Sequence, residues 1–168
     1  MLTSKMSKFV YSIKEQKAQK TARKRIKGLQ KRHVQYGSNL TVLGDIDIIY
    51  SNKLTIGDNC RLNSHVYINA RSGVTIGDDV TLSYGVKIIS TGYDVDQWIK
   101  TGRKIHIENQ PIFIGNHCWV GAGATILPGV NIMGEYVVIA ADAVVTKDVT
   151  ESKVVLAGNP AKIVKHLM

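Results

Sequence analysis

IGDNCRLNSHVYINARSGVT, residues 56–75, runs directly into IGDDVTLSYGVKIIS, residues 76–90. The second segment restarts on Ile-Gly-Asp after 20 residues. YGSNLTVLGDIDIIYSNKLT from Tyr36 is an earlier copy of the same length. The register returns in IGNHCWVGAGATILPGVN from Ile114 and MGEYVVIAADAVVTKDV from Met133. Within blocks an apolar residue recurs every six: Ile56, Leu62, Ile68; Ile76, Leu82, Ile88; Ile114, Val120, Ile126; Met133, Ile139, Val145. Such self-similarity marks a solenoid, whose units bury their faces only by stacking on one another. Period six is neither the helical 3.6 nor the alternation of a long strand. It fits short strands joined by tight turns, three per triangular coil, each sending one side chain inward.

The glycines after the anchors (Gly37, Gly57, Gly77, Gly115, Gly134) are expected at corners with unusual backbone angles. Four residues after each anchor stand Leu40, Cys60, Val80, Cys118 and Val137. Both cysteines thus fall in an inward apolar slot and read as core, not as a metal pair or disulfide.

The chain has 168 residues, enough for one domain and too few for two ordinary ones. Hydrophobic residues are 44% and charged ones 21%, a globular balance. No run of 18 apolar residues exists and no secretory leader is legible, so a cytoplasmic protein is expected. The net charge of +9 is lopsided. Residues 1–32 carry 11 Lys and Arg against one acid, while the remaining residues carry 11 against 12. Residues 5–33 read as a basic helix with Met6, Phe9, Val10 and Ile13 on one face. Docking on the body or a sister subunit is one reading of it, and peripheral contact with an anionic membrane through residues 1–33 is another. No nucleic-acid motif accompanies the charge, and no nucleic-acid partner is expected. Residues 1–33 thus form an extension and residues 34–168 the repeat domain.

The pattern, and above all PIFIGNHCWVGAGATILPGVNI, AADAVVTKDV and AGNPAKIV, closely resembles the hexapeptide-repeat acyltransferases, in their galactoside, maltose and polysaccharide O-acetyltransferase branch. The resemblance covers roughly residues 34–168. It implies an all-β solenoid, a left-handed parallel β-helix, to which the sequence adds the N-terminal basic α-helix read above and a short C-terminal segment. It further implies a homotrimer that transfers acetyl from acetyl-CoA to a hydroxyl of a sugar or polysaccharide precursor, with no metal. By position in the motifs, Trp119, Ala122 and Ala141 correspond to residues lining the pantetheine channel. Thr146 and Lys147 correspond to the nucleotide end, and Lys162 and Lys165 to basic positions near the phosphates.

From the start of the third block at Ile76 to that of the fourth at Ile114 there are 38 residues, one coil plus an excursion over about residues 91–110, TGYDVDQWIKTGRKIHIENQ. Long loops on rigid scaffolds carry function, and in the resembling enzymes this one covers the neighbouring subunit's acceptor site. Tyr93 and Trp98 are candidates to stack on a sugar or to pack the loop down. Asn69 matches an acceptor-contacting asparagine, and Asp94 is a candidate to orient an imidazole or hold a hydroxyl.

Acetylating a hydroxyl needs a base, for which histidine is suited near neutral pH. Where the family places that histidine after Thr-Gly, this chain has Tyr93. His33 and His166 read as surface residues, and His65 and His117 as outward ones at corners. His106, inside the excursion, is the candidate base, which a fold-back of the loop would place in the space that Tyr93 leaves. Three alternatives stand beside this reading. The acceptor is an amine on a sugar nucleotide, which needs less base assistance; the chain is a catalytically degenerate trimeric scaffold; or His65, His106 and His117 bind zinc between subunits as in a γ-type carbonic anhydrase.

Overall fold

The computed structural model describes Thr21 and residues 24–168. Residues 24–31 form helix α1, and most of the helix expected over residues 5–33 lies outside the described residues. Short parallel strands then wind into stacked coils. The first coil holds β1 (Gln35–Tyr36), β2 (Thr41–Val42) and β3 (Asp47–Ile49). The second holds β4 (Leu54–Ile56), β5 (Arg61–Leu62) and β6 (Tyr67–Asn69), and the third β7 (Val74–Ile76), β8 (Thr81–Leu82) and β9 (Lys87–Ile89). Helix α2 (Val95–Thr101) interrupts the winding before β10 (Ile112–Ile114), β11 (Trp119–Val120) and β12 (Thr125–Ile126). β13 (Asn131–Ile132), β14 (Val138–Ile139) and β15 (Val144–Val145) make the fifth coil. β16 (Val154–Ala157) begins a sixth, and β17 (Lys162–His166) folds back on it antiparallel.

Three sheets form the three walls: β1-β4-β7-β10-β13, then β2-β5-β8-β11-β14-β16-β17, then β3-β6-β9-β12-β15. The register stacks equivalent residues, Leu62 on Leu82 on Val120 on Ile139, and Ile48 on Ile68 on Ile88 on Ile126 on Val145. These side chains are buried and make one continuous core. Since each apolar row is completed only by its neighbours above and below, stability is a sum of coil-to-coil contacts.

Two expectations need correction. Met133 is not an anchor: it is 51% exposed, and the inward residue is Ile132, paired with Ile114. The corner from Ile132 to Ile139 holds one residue more than the corner from Ile56 to Leu62, and Met133 is the surplus, pushed outward. Nor do the corner glycines serve unusual angles, since none of the five has positive φ. They serve close stacking. A Cβ on Gly57 would lie 2.2 Å from Asp78 Oδ1 and 2.7 Å from the Gly77 carbonyl, and one on Gly134 would lie 2.0 Å from the Glu151 carbonyl oxygen. The left-handed conformation falls two residues later, on Asn39, Asn59, Asp79, His117 and Tyr136. Asn and Asp tolerate it. At the two bulkier positions the rings of His117 and Tyr136 stack 4.5 Å apart at 8°, and His117 Nδ1 lies 3.4 Å from Asp79 Oδ2, contacts that offset the strain.

Cys60 and Cys118 are free and buried in the inward slot. Their thiols point at the Gly77 and Gly134 carbonyls. Burial pushes both thiols above their ordinary value, so neither is a ready thiolate nucleophile. At the N-terminal end α1 closes the solenoid. Leu29 is 3% exposed, Ile26 packs against the core, and Arg25 reaches the Leu43 carbonyl and Asp45. Among the described residues no helix is long and apolar enough to cross a membrane.

Candidate active site

The excursion leaves the third coil at Ser90, which is fully buried. Its hydroxyl donates to the Asn69 carbonyl at 2.9 Å and accepts from the Ser72 amide at 3.1 Å. From this fixed point the chain runs out through Thr91 and Gly92 into α2. Asp94 caps that helix by accepting from the Gln97 amide at 2.9 Å, and Gly102 ends it in the left-handed conformation. The chain then returns antiparallel to its outgoing limb. The Asp94 amide donates to the Ile105 carbonyl and the Ile107 amide to the Gly92 carbonyl, both at 2.9 Å.

This pairing brings Tyr93 opposite His106. Their rings stack 4.6 Å apart at 27°, and His106 Nδ1 lies 3.3 Å from Thr91 Oγ1. In the tautomer where Nδ1–H donates to that hydroxyl, Nε2 is unprotonated and able to accept a proton. Lys104 lies on the same limb, its ammonium 4.7 Å from the Trp98 ring centroid and 5.9 Å from that of Tyr93. Trp98 therefore has a cation on one face and Tyr93 an imidazole.

Asn69 stands at the same corner. Its Oδ1 accepts from the Arg71 amide at 3.2 Å, leaving Nδ2 only a 3.5 Å approach to the Tyr67 hydroxyl. Asp94 is occupied with its helix. Thus His106, Tyr93 and Trp98 gather on the excursion, with Asp94 shaping the loop that holds them, and Asn69 lies at the corner where the excursion leaves the coils, its carbonyl accepting from the Ser90 hydroxyl. Thr91, Lys104, Arg71 and Glu108 belong to this cluster and escaped the sequence reading. Arg71 and Glu108 are 37 residues apart, and no spacing rule joins them.

The remaining candidates lie elsewhere on the chain. Trp119 is 55% exposed on β11, its indole N–H donating to Ser83 Oγ at 2.9 Å. The row Trp119–Val138–Val155–Lys165 crosses four strands of the second wall, about 14 Å at the usual strand spacing. Ala122 and Ala141 are exposed neighbours in successive coils, where the Asp142 amide donates to the Ala122 carbonyl and Gly121 admits the close approach of Ala141. Lys162 is exposed beside Lys165 on β17, and Thr146 and Lys147 are exposed after β15. The Trp119–Lys165 strip lies on the second wall, whereas the His106 excursion leaves the chain between β9 of the third wall and β10 of the first. His65, His106 and His117 stand at three different corners, and among the described residues no cluster of His, Cys, Asp or Glu is disposed to hold a metal ion.

Three walls of short parallel strands, stacked coil on coil and broken by one helical excursion, define a β-helix protein. Comparison with known proteins agrees. The hexapeptide repeat of succinyl-transferase matches residues 53–89 and 111–147. The chain is 34% identical over 131 residues to galactoside O-acetyltransferase of Escherichia coli, covering 78% of this chain and 63% of the relative. It is 30% identical over 141 residues to the E. coli protein WbbJ, assigned as a lipopolysaccharide biosynthesis O-acetyl transferase, covering 79% and 71%. A solved structure of galactoside acetyltransferase in complex with coenzyme A superposes with a TM-score of 0.73 at 33% identity, covering 80% of this chain and 65% of that one. The chain belongs to the hexapeptide-repeat acetyltransferase family, and its solenoid is of the left-handed β-helix type. It spans 58% and 63% of the length of two curated relatives that it matches.

Proposed function

We propose that the protein is an acetyltransferase that moves acetyl from acetyl-CoA to a hydroxyl of a sugar or cell-surface polysaccharide precursor, with His106 as general base. The observation that carries this reading is the fold-back of the excursion, which sets the His106 imidazole against Tyr93 with its Nδ1 at Thr91 Oγ1. An imidazole thus stands beside Tyr93, the residue that holds the histidine position of the motif this chain resembles.

In the reaction, the acceptor hydroxyl gives its proton to His106 Nε2 as its oxygen attacks the thioester carbonyl. The tetrahedral species collapses with cleavage of the C–S bond, and the proton passes from the imidazolium to the leaving thiolate. Transfer is direct, because both cysteines are buried in the core with raised thiol pKa values. Trp119, Ala122 and Ala141 would line the pantetheine arm, Thr146 and Lys147 the nucleotide end, and Lys162 and Lys165 the phosphates. Asn69 Nδ2 and the Trp98–Tyr93 pair would hold the acceptor.

Since the Trp119 strip lies on the second wall and the His106 excursion leaves between the third and the first, a complete site needs a second copy of the chain. A closed three-fold ring would unite them and cover exposed apolar side chains such as Trp119 and Ile49.

His106→Ala is expected to lower kcat by about a hundredfold or more while acetyl-CoA binding stays nearly unchanged. Full turnover in that variant toward neutral sugars would refute the base assignment. Turnover retained only toward amino sugars would instead identify an amine acceptor.

A further inference from the structure

We infer that Arg71 is a positioning residue that fixes His106 by clamping the returning limb of the excursion to the coils; the inference rests on His106 being the base. Arg71 sits at the corner after β6. Its guanidinium divides between two partners, with Nη2 3.1 Å from Glu108 Oε1 and Nη1 2.8 Å from the Tyr50 hydroxyl. Its Cζ lies 5.6 Å from the Tyr50 ring centroid. Glu108 holds the guanidinium more firmly in its charged form. Tyr50 in turn belongs to the preceding coil, so the clamp is seated on two coils.

Glu108 is two residues beyond His106. The hydrogen bonds inside the excursion tie its two limbs to each other, through Asp94 with Ile105 and Gly92 with Ile107. They fix the hairpin's shape but not its direction. Among the described residues, Arg71–Glu108 is the one ion pair between the excursion and the coils. A partly exposed pair of this kind adds little to global stability. Its leverage is geometric, because displacing a catalytic group by about 1 Å can cost a hundredfold in rate. The forked guanidinium reaches phenol and carboxylate at once, whereas an ammonium is a single point charge.

The test uses the full chain with isotope-labelled histidine. In Arg71→Met, the His106 ring resonances should shift or broaden while those of His65 and His117 stay in place. With acetyl-CoA and a panel of methyl β-galactoside, maltose and N-acetylglucosamine, kcat should fall about tenfold or more. KM for acetyl-CoA should stay within about twofold, because the Trp119 strip is on another wall. The double exchange Arg71→Glu with Glu108→Arg should restore both the spectrum and the rate, and Arg71→Lys should restore them only in part. Unchanged His106 resonances in Arg71→Met would overturn the clamp. So would displacement of all three histidine spectra together with a lower thermal midpoint, which marks a general loss of structure. His106→Ala with full turnover would overturn the base assignment, a separate failure that leaves the spectrum to decide the clamp.

Discussion

At Gly57 one added methyl decides whether two coils can stack. Its Cβ would meet Asp78 Oδ1 at 2.2 Å and the Gly77 carbonyl at 2.7 Å, and the carbonyl is backbone that cannot rotate away. Gly57→Ala should therefore destabilise the fold by about 1–3 kcal/mol, the usual range for overpacking, measured by chemical denaturation. Gly28→Ala makes the contrast. It lies in α1 with open space around its Cβ, and should stabilise by up to about 1 kcal/mol. Ile132→Ala should cost about 2–5 kcal/mol, as core truncations do. The exposed Met133→Ser should stay within about 0.5 kcal/mol. This last pair shows where the sequence was legible and where it was not. The six-residue rows through Ile56, Ile76 and Ile114 are readable because the register is strict. At Ile132-Met133 two apolar residues adjoin a glycine, and periodicity alone does not say which of them turns inward.

The two buried cysteines make stability depend on pH. Burial raises both thiols above the ordinary 9.0. The folded chain therefore favours the protonated thiol. That contribution is fully present below pH about 9 and lost as pH rises past it, because the unfolded thiols ionise first. Cys60→Ala with Cys118→Ala should flatten the alkaline limb of stability measured from pH about 7 to about 10.

At the scale of elements, the site depends on a hairpin whose helix is only seven residues long. Such a helix is marginal without its caps. Asp94→Ala removes the acceptor for the Gln97 amide and should cost about 1 kcal/mol of local stability. Faster hydrogen exchange over α2, with the coils unaffected, is the expected result. The existence of the excursion could be read from the 38 residues between Ile76 and Ile114. The pairing of Tyr93 with His106 could be anticipated only as a fold-back, because loop register is set by particular hydrogen bonds rather than by composition. The Arg71–Glu108 contact was not legible at all, for it joins a coil corner to a loop end across 37 residues. The sequence marks the glycines as corner residues, but what requires them is the coil above rather than an unusual backbone angle, and only the stacked structure reveals it.

For the whole molecule, the charge separates into a near-neutral solenoid and a basic head. Residues 24–31 cap the first coil, where Leu29 is buried. Removing residues 1–33 should therefore uncover the coil end and lower the thermal midpoint. If the head holds the protein at an anionic surface, the full chain will cosediment with phosphatidylserine-containing vesicles at low salt, and the chain lacking residues 1–20 will not. The strip from Trp119 to Lys165 lies on the second wall and the His106 excursion leaves between the third and the first, and the proposed activity requires neighbouring copies to bring them together around the thioester. The most direct test is a calorimetric titration of the full chain with acetyl-CoA. Saturable binding of one acetyl-CoA per chain is expected, weakened when Lys162 and Lys165 are both replaced by alanine. Absence of binding at millimolar acetyl-CoA would contradict the proposed activity.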